Sequence, residues 1–148
     1  MKRRVAFTKR AGLAGLIVLL SSAFLIAGCG GLPVRAAVYE GLDVPDAYTM
    51  IQENQHNSNF VIIDIRLPQE FALGHVAGAI NLDKDAPNYR DELNKLNKKK
   101  TYLIYFDCSC GGVGWESVNL MKELGFRTVY NMWQGFQEWK DEGLPVAV

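Results

Sequence analysis

Two thiols stand two residues apart in Cys108-Ser109-Cys110-Gly111-Gly112-Val113-Gly114, a stretch that combines nucleophilic side chains with three glycines. A thiol reacts as its thiolate, so the chemistry turns on what would favour the anion there. The residues before it, Tyr102 to Phe106, form a short apolar run of the length and aromatic content of a buried strand. The residues after it place Ser117, Leu120, Met121 and Leu124 on one helical face, closed by Gly125 as a C-cap. Open α/β sheets bind ligands where a strand's carboxyl end feeds a helix N-terminus. Unsatisfied backbone N–H groups and the positive end of the helix dipole both stabilise a thiolate at such a junction. The stretch is suited to sulfur chemistry.

Other charges near it work in the opposite direction. No Lys or Arg lies between Lys100 and Lys122, Asp107 immediately precedes Cys108, and Glu116 adds negative charge in the first helical turn. Repulsion from Asp107 raises a thiol pKa. A helix terminus contributes about 0.3–1 kcal/mol, or about 2 where partly buried, against about 1.36 kcal/mol per pKa unit. The dipole alone therefore lowers a thiol pKa from about 8.5 by roughly one and a half units at most. Charge-assisted bonds from loop amides, about 1.5–3 kcal/mol each, must supply the rest. The expected result is a cradle for a sulfur anion with poor affinity for an anionic donor.

The elements that must position this junction can be taken in order. Val38 to Leu42 is expected as a short edge strand. Asp43 before Val44-Pro45-Asp46 marks a helix start, with the helix running to about Gln55. Phe60-Val-Ile-Ile-Asp64 is continuous apolar sequence, expected as an interior strand buried on both faces. Pro68 to Gly74 suits one or two helical turns, Gly78 to Leu82 a brief strand, and Pro87 to Asn97 a helix with Tyr89, Leu93 and Leu96 on one side. Lys98-Lys-Lys100 is expected as a solvated turn. Thr128 to Asn131 is a further strand, and Gly135 to Glu142 a last helix with Phe136 and Trp139 inward. Trp133 is likewise expected in the core, and Trp115 stands at the mouth of the helix after the thiols. Strands alternating with helices give an α/β sandwich around a mostly parallel sheet.

The 148 residues, 49% hydrophobic and 22% charged, suffice for one domain and a short appendage. The formal net charge of zero hides a segregation: Lys2, Arg3, Arg4, Lys9 and Arg10 precede position 11, and no acidic residue precedes Glu40. Beyond residue 28, sixteen acidic residues face eleven basic ones, a net of −5. That balance argues against nucleic acid as a partner. The basic start, the eighteen uncharged residues Ala11 to Gly28 and the small pair Ala27-Gly28 before Cys29 describe a secretory signal. Leu25-Ile-Ala-Gly-Cys29 resembles the lipobox of bacterial lipoproteins, which implies lipidation at Cys29 and a membrane-anchored, extracytoplasmic domain in the cell envelope. An uncleaved anchor would leave the domain on the same side. The expected organisation is a signal peptide over 1–28, a lipidated tether over 29–37 and a domain over 38–148. Cys108 and Cys110 are then the remaining thiols, too few for a four-ligand zinc site, and no metal or cofactor is expected.

Asp64-Ile-Arg66, Glu70-Phe71, Gly74-His-Val76, Gly78-Ala-Ile-Asn81, Gly125-Phe126, Val129-Tyr-Asn131, Gly135-Phe136, Trp139 and Gly143-Leu-Pro-Val146 together resemble a single rhodanese domain. The resemblance runs from about residue 38 to the end and implies a three-layer sandwich, its mostly parallel sheet flanked by helices. It also implies that Cys108 is the catalytic cysteine, which accepts a sulfane sulfur as a persulfide from a small donor and passes it to a thiol or other thiophilic acceptor. The loop Ser109, Cys110, Gly111, Gly112, Val113 and Gly114 would cradle that sulfur. Asp64, Arg66 and Glu70 would form a structural charge network rather than an acid–base set. Active relatives commonly carry a basic residue where Ser109 or Val113 stands here, and the phosphatase branch ends its longer loop in Arg, where this chain has Gly114. Two alternatives stay open: a non-catalytic module that docks a protein partner in the envelope, and a dithiol redox protein in which Cys110 resolves Cys108.

Overall fold

A computed structural model describes residues 36–107 and 112–148 of the chain. Its elements are β1 (Val38–Leu42), α1 (Val44–Glu53), β2 (Phe60–Asp64), α2 (Pro68–Leu73), β3 (His75–Val76), β4 (Ala79–Asn81), α3 (Tyr89–Lys95), β5 (Thr101–Tyr105), α4 (Val113–Glu123), β6 (Thr128–Met132), α5 (Gly135–Asp141) and β7 (Val146–Ala147). Residues 35–148 form one compact unit. Five parallel strands make the main sheet in the order β1-β6-β5-β2-β4. The α/β sandwich expected from the alternation of elements is the observed fold.

Period-two alternation along the strands sends side chains to two separate cores. Along β5, Tyr102 and Ile104 face a cluster with Tyr89, Leu93, Val118, Met121 and Phe126 from the α3 and α4 side. Leu103 and Tyr105 face the opposite cluster with Val44, Ala47, Phe136 and Trp139 from α1 and α5. The sheet is therefore the middle of three layers, and β5, buried on both faces, is its axis.

Local chemistry sets the element ends. Asp43 Oδ1 accepts the Asp46 amide at 3.0 Å and caps α1, as the sequence signals. The helix stops at Glu53, short of Gln55, because the Asn54 amide folds back on the Ile51 carbonyl and its Nδ2 donates to the Met50 carbonyl at 2.8 Å. The antiparallel pair β3–β7, which fastens the chain's last strand to His75–Val76, was not foreseen. Two-residue strands are too short to show any periodicity. Trp139 is buried as expected, with Nε1 donating to the Pro145 carbonyl at 2.9 Å. Trp133 is not in the core: it follows the last residue of β6 and is 48% exposed, beside Gly41 at the end of β1.

Candidate functional site

The β5–α4 junction is held from both sides. The carbonyls of Phe106 and Asp107 accept the amides of Phe136 and Gln137, each at 2.8 Å, so the first turn of α5 grips the backbone just before Cys108. On the far side Gly112 opens α4 in the left-handed region (φ 80°), and its carbonyl accepts the Trp115 and Glu116 amides at 2.9 and 3.2 Å. Helix geometry leaves the amides of Gly112, Val113 and Gly114 without a partner inside the helix, pointing back along its axis. The two described glycines are required for different reasons. A Cβ at Gly112 would touch nothing within 4 Å, so its constraint is conformational. A Cβ at Gly114 would lie 2.3 Å from Asn131 Oδ1, so its constraint is space.

Next to this junction Arg66 is buried in a set of partners that fix its direction. Its Nη2 pairs with Asp64 Oδ2 at 2.6 Å and donates to the Gly74 carbonyl at 2.8 Å, and its Nε donates to Asp64 Oδ1 at 3.0 Å. The guanidinium lies 4.0 Å over the Phe136 ring. Burial by itself lowers the pKa of Arg66; hydrogen bonding and charge from Asp64, with smaller contributions from Tyr105 and Asp107, outweigh it and hold the group above its ordinary value. Tyr105, whose hydroxyl accepts the Val76 amide at 3.0 Å, has its ionisation pushed far up by burial and then by the Asp64 charge. Asn81 donates to the carbonyls of Asp64 and Arg66 at 3.1 and 2.9 Å, which sets the chain direction where β2 ends. This positioning role of Asn81 was not read from the sequence, although the residue lies in one of the recognised motifs.

Arg66 also reaches the junction: Nη1 stands 3.8 Å from Asp107 Oδ1. The carboxylate expected to oppose a thiolate at Cys108 is thus partly balanced by a cation from the neighbouring strand. A cavity of about 230 Å³ opens there, with Arg66, Glu70, Asp107, Phe136 and Lys140 in its wall. Lys140, on α5, has no carboxylate partner among the described residues. Inspection of the loop alone could not find Lys140 or Arg66 as local cations, because both come from elements distant in sequence.

Glu70 departs from its expected place in the charge network. Its Oε2 accepts the Leu67 amide at 3.1 Å and so caps α2, and it makes no ion pair among the described residues. His75 stacks on Phe71 at 3.8 Å between ring centroids, with Nδ1 at 3.0 Å from the Phe71 carbonyl, a packing role. Trp115 is 39% exposed near Gly41 and Trp133, outside the cavity wall. Cys108, Ser109, Cys110 and Gly111, like Cys29, lie outside the described residues. Among the described residues no helix is long and apolar enough to cross a membrane.

The model of the rhodanese-like domain matches residues 46–142. A Staphylococcus saprophyticus protein of known structure is 30% identical with a TM-score of 0.55, covering 72% of this chain and 98% of its own. A rhodanese-like domain from an Anabaena protein is 26% identical with a TM-score of 0.53, over 60% of this chain and 99% of its own. A rhodanese-related protein from Thermoplasma volcanium is 25% identical with a TM-score of 0.58, over 74% and 98%. With the match spanning most of the chain and the β5–α4 junction built as described, the protein belongs to the rhodanese-like domain family.

Proposed function

We propose that the protein is a sulfurtransferase that moves a sulfane sulfur through a persulfide on Cys108, and that it is held at a membrane by lipid on Cys29. The observation that carries this reading is the junction itself: the backbone is clamped by α5 immediately before Cys108, and α4 opens at Gly112, where the first-turn amides have no partner within the helix. The Cys108 thiolate attacks the sulfane sulfur of a donor such as thiosulfate. The donor S–S bond breaks and sulfite leaves with its electron pair. A Cys108–S–S⁻ persulfide remains, its terminal sulfur facing the amides at the start of α4. An acceptor thiolate then attacks that terminal sulfur and Cys108 leaves as thiolate, so no external oxidant or reductant is consumed.

Incubation of reduced protein with thiosulfate or polysulfide should add the mass of one sulfur atom to the intact chain, and the Cys108→Ser variant should show no gain. Loading that survives in Cys108→Ser, or no loading from any donor, would remove the reading.

Charge at the cavity bears on the donor. Arg66 is already committed to Asp64, and Asp107 and Glu70 share the cavity wall with Lys140. An anionic donor therefore gains little, and its remaining attraction comes from Lys140. An exposed charge contact of this kind contributes about 0.2–1 kcal/mol. Lys140→Gln should raise KM for thiosulfate by up to about fivefold at unchanged kcat, and raise KM for a singly charged organic persulfide donor by less.

A non-catalytic docking role is the second reading, favoured by the exposed Trp115 and Trp133 that flank Gly41 at the carboxyl end of β1. Equal partner capture by wild type and a Cys108→Ser/Cys110→Ser variant, together with absent sulfur loading, would select it.

A further inference from the structure

The domain's charge is polarised along its strands. At the carboxyl ends stand Asp43, Glu70, Asp85, Asp107 and Glu116, against Lys84 paired to Asp85 at 2.6 Å, Arg66 paired to Asp64, and Lys140 on the cavity wall. The amino ends carry more cations than carboxylates, although Glu53 closes α1 there. Val38, Thr128, Thr101 and Phe60 lie in one row across the sheet. Arg127 and Lys100 therefore stand side by side, each one residue before its strand, and Lys99 and Lys98 continue the basic loop. The backbone fastens this end together: the Val38 amide donates to the Arg127 carbonyl at 2.7 Å and the Arg127 amide to the Lys98 carbonyl at 3.3 Å. Lys98 is partly used up, its Nζ capping α3 through the carbonyls of Leu93 and Asn94. Lys99, Lys100, Lys122 and Arg127 have no carboxylate partner among the described residues, whereas Glu123 at the same end is engaged by Arg90 at 3.5 Å. A chain whose residues beyond 28 carry a net charge of −5 thus presents a cationic end.

The chain enters the domain at that same end, through Val38. From Cys29, the tether to Val38 spans no more than about 30 Å at 3.3–3.6 Å per residue. If Cys29 is acylated, as the proposed function holds, the end facing the bilayer within that reach is the basic one. We propose that the amino-terminal end of the sheet, with Lys99, Lys100, Lys122 and Arg127, docks on a bilayer surface containing anionic phospholipid. The strand carboxyl ends, and with them the β5–α4 junction, then face the aqueous phase, about 17 Å further out at 3.3 Å per strand residue. Sulfur donors and acceptors reach the site from solution and not from the lipid.

Residues 35–148 contain the whole sheet and both cores and can be tested without the tether. This domain should co-sediment with vesicles of phosphatidylcholine plus phosphatidylglycerol, not with phosphatidylcholine alone, and should be released by salt. Each juxtamembrane cation contributes about fivefold, so Lys99→Gln/Lys100→Gln/Arg127→Gln should weaken partitioning by about a hundredfold. Lys84→Gln, at the opposite end, should not weaken it. Equal partitioning into both vesicle types, an unaffected triple variant, or retention by duplex DNA without vesicle binding would each overturn the proposal. Acylation of Cys29 is read separately, from the mass of the mature N-terminal peptide. An unmodified Cys29 would remove the tether and leave the vesicle result to stand alone.

Discussion

Asp64→Ala should cost about 3–5 kcal/mol of folding stability, because it strands the charge of Arg66 in the protein interior. Asp64 is fully buried and Arg66 is 3% exposed. Water cannot take over the bonds that the carboxylate makes to Nε and Nη2. Arg66 also donates to the Gly74 carbonyl and lies against Phe136, so its displacement would loosen α2 and α5 together. The α5 amides that clamp Phe106 and Asp107 belong to that same region, and sulfur loading should fall along with stability. Replacement of both partners separates a lost attraction from a stranded charge. Asp64→Leu/Arg66→Met should recover much of the loss, since a buried pair exchanged for apolar side chains is often close to neutral. Urea unfolding of the variants measures this directly. A double variant no more stable than Asp64→Ala would mean that the pair, and not the unpaired charge, sets the cost.

The parts legible in the sequence are those whose signal is local. β2 and β5 are runs of apolar residues with no polar interruption, and α4 shows its inward face and its closing glycine, so the strand and helix that flank Cys108 are legible from sequence alone. Asp64 and Arg66 stand beside each other in the sequence, with only Ile65 between them at the end of one strand. What was not legible depends on approach across the fold. Lys140 reaches the cavity by way of α5, and the β3–β7 pair joins segments far apart in the chain, each too short to carry a period. Side-chain type alone puts Trp133 in the core, but it comes directly after Met132, where the chain leaves the sheet. Charge alone gives Glu70 a cationic partner, yet the unsatisfied amide at the start of its own helix lies closer. In both cases a local geometric demand outweighed the residue's average behaviour.

The same distinction between conformation and space governs the two described glycines of the loop, and Gly114 is the more demanding. In Gly114→Ala the new Cβ would be placed 2.3 Å from Oδ1, 2.7 Å from Nδ2 and 2.8 Å from Cγ of Asn131. Asn131 is 3% exposed and sits on β6 between Gly41 and Ile104, so it has little room to withdraw. Overpacking of this kind typically costs about 1–3 kcal/mol, and the rigidity of the sheet puts the expected loss in the upper half. The first turn of α4 must tilt away from β6 to relieve the contact, which turns its amides off the loop, so persulfide formation should slow by more than the stability loss alone explains. Gly114→Ala/Asn131→Ala removes the obstacle and should restore both stability and loading, a strongly non-additive pair. Gly112→Ala offers the contrast: about 1–2 kcal/mol from its left-handed backbone, with no relief from any change at Asn131. Wild-type stability in Gly114→Ala would show that α4 and β6 are free to separate. If they are not, a longer side chain such as arginine at this position would have to displace Asn131 as well, and an anion-gripping loop that ends in arginine is closed to this chain by the packing of its sheet.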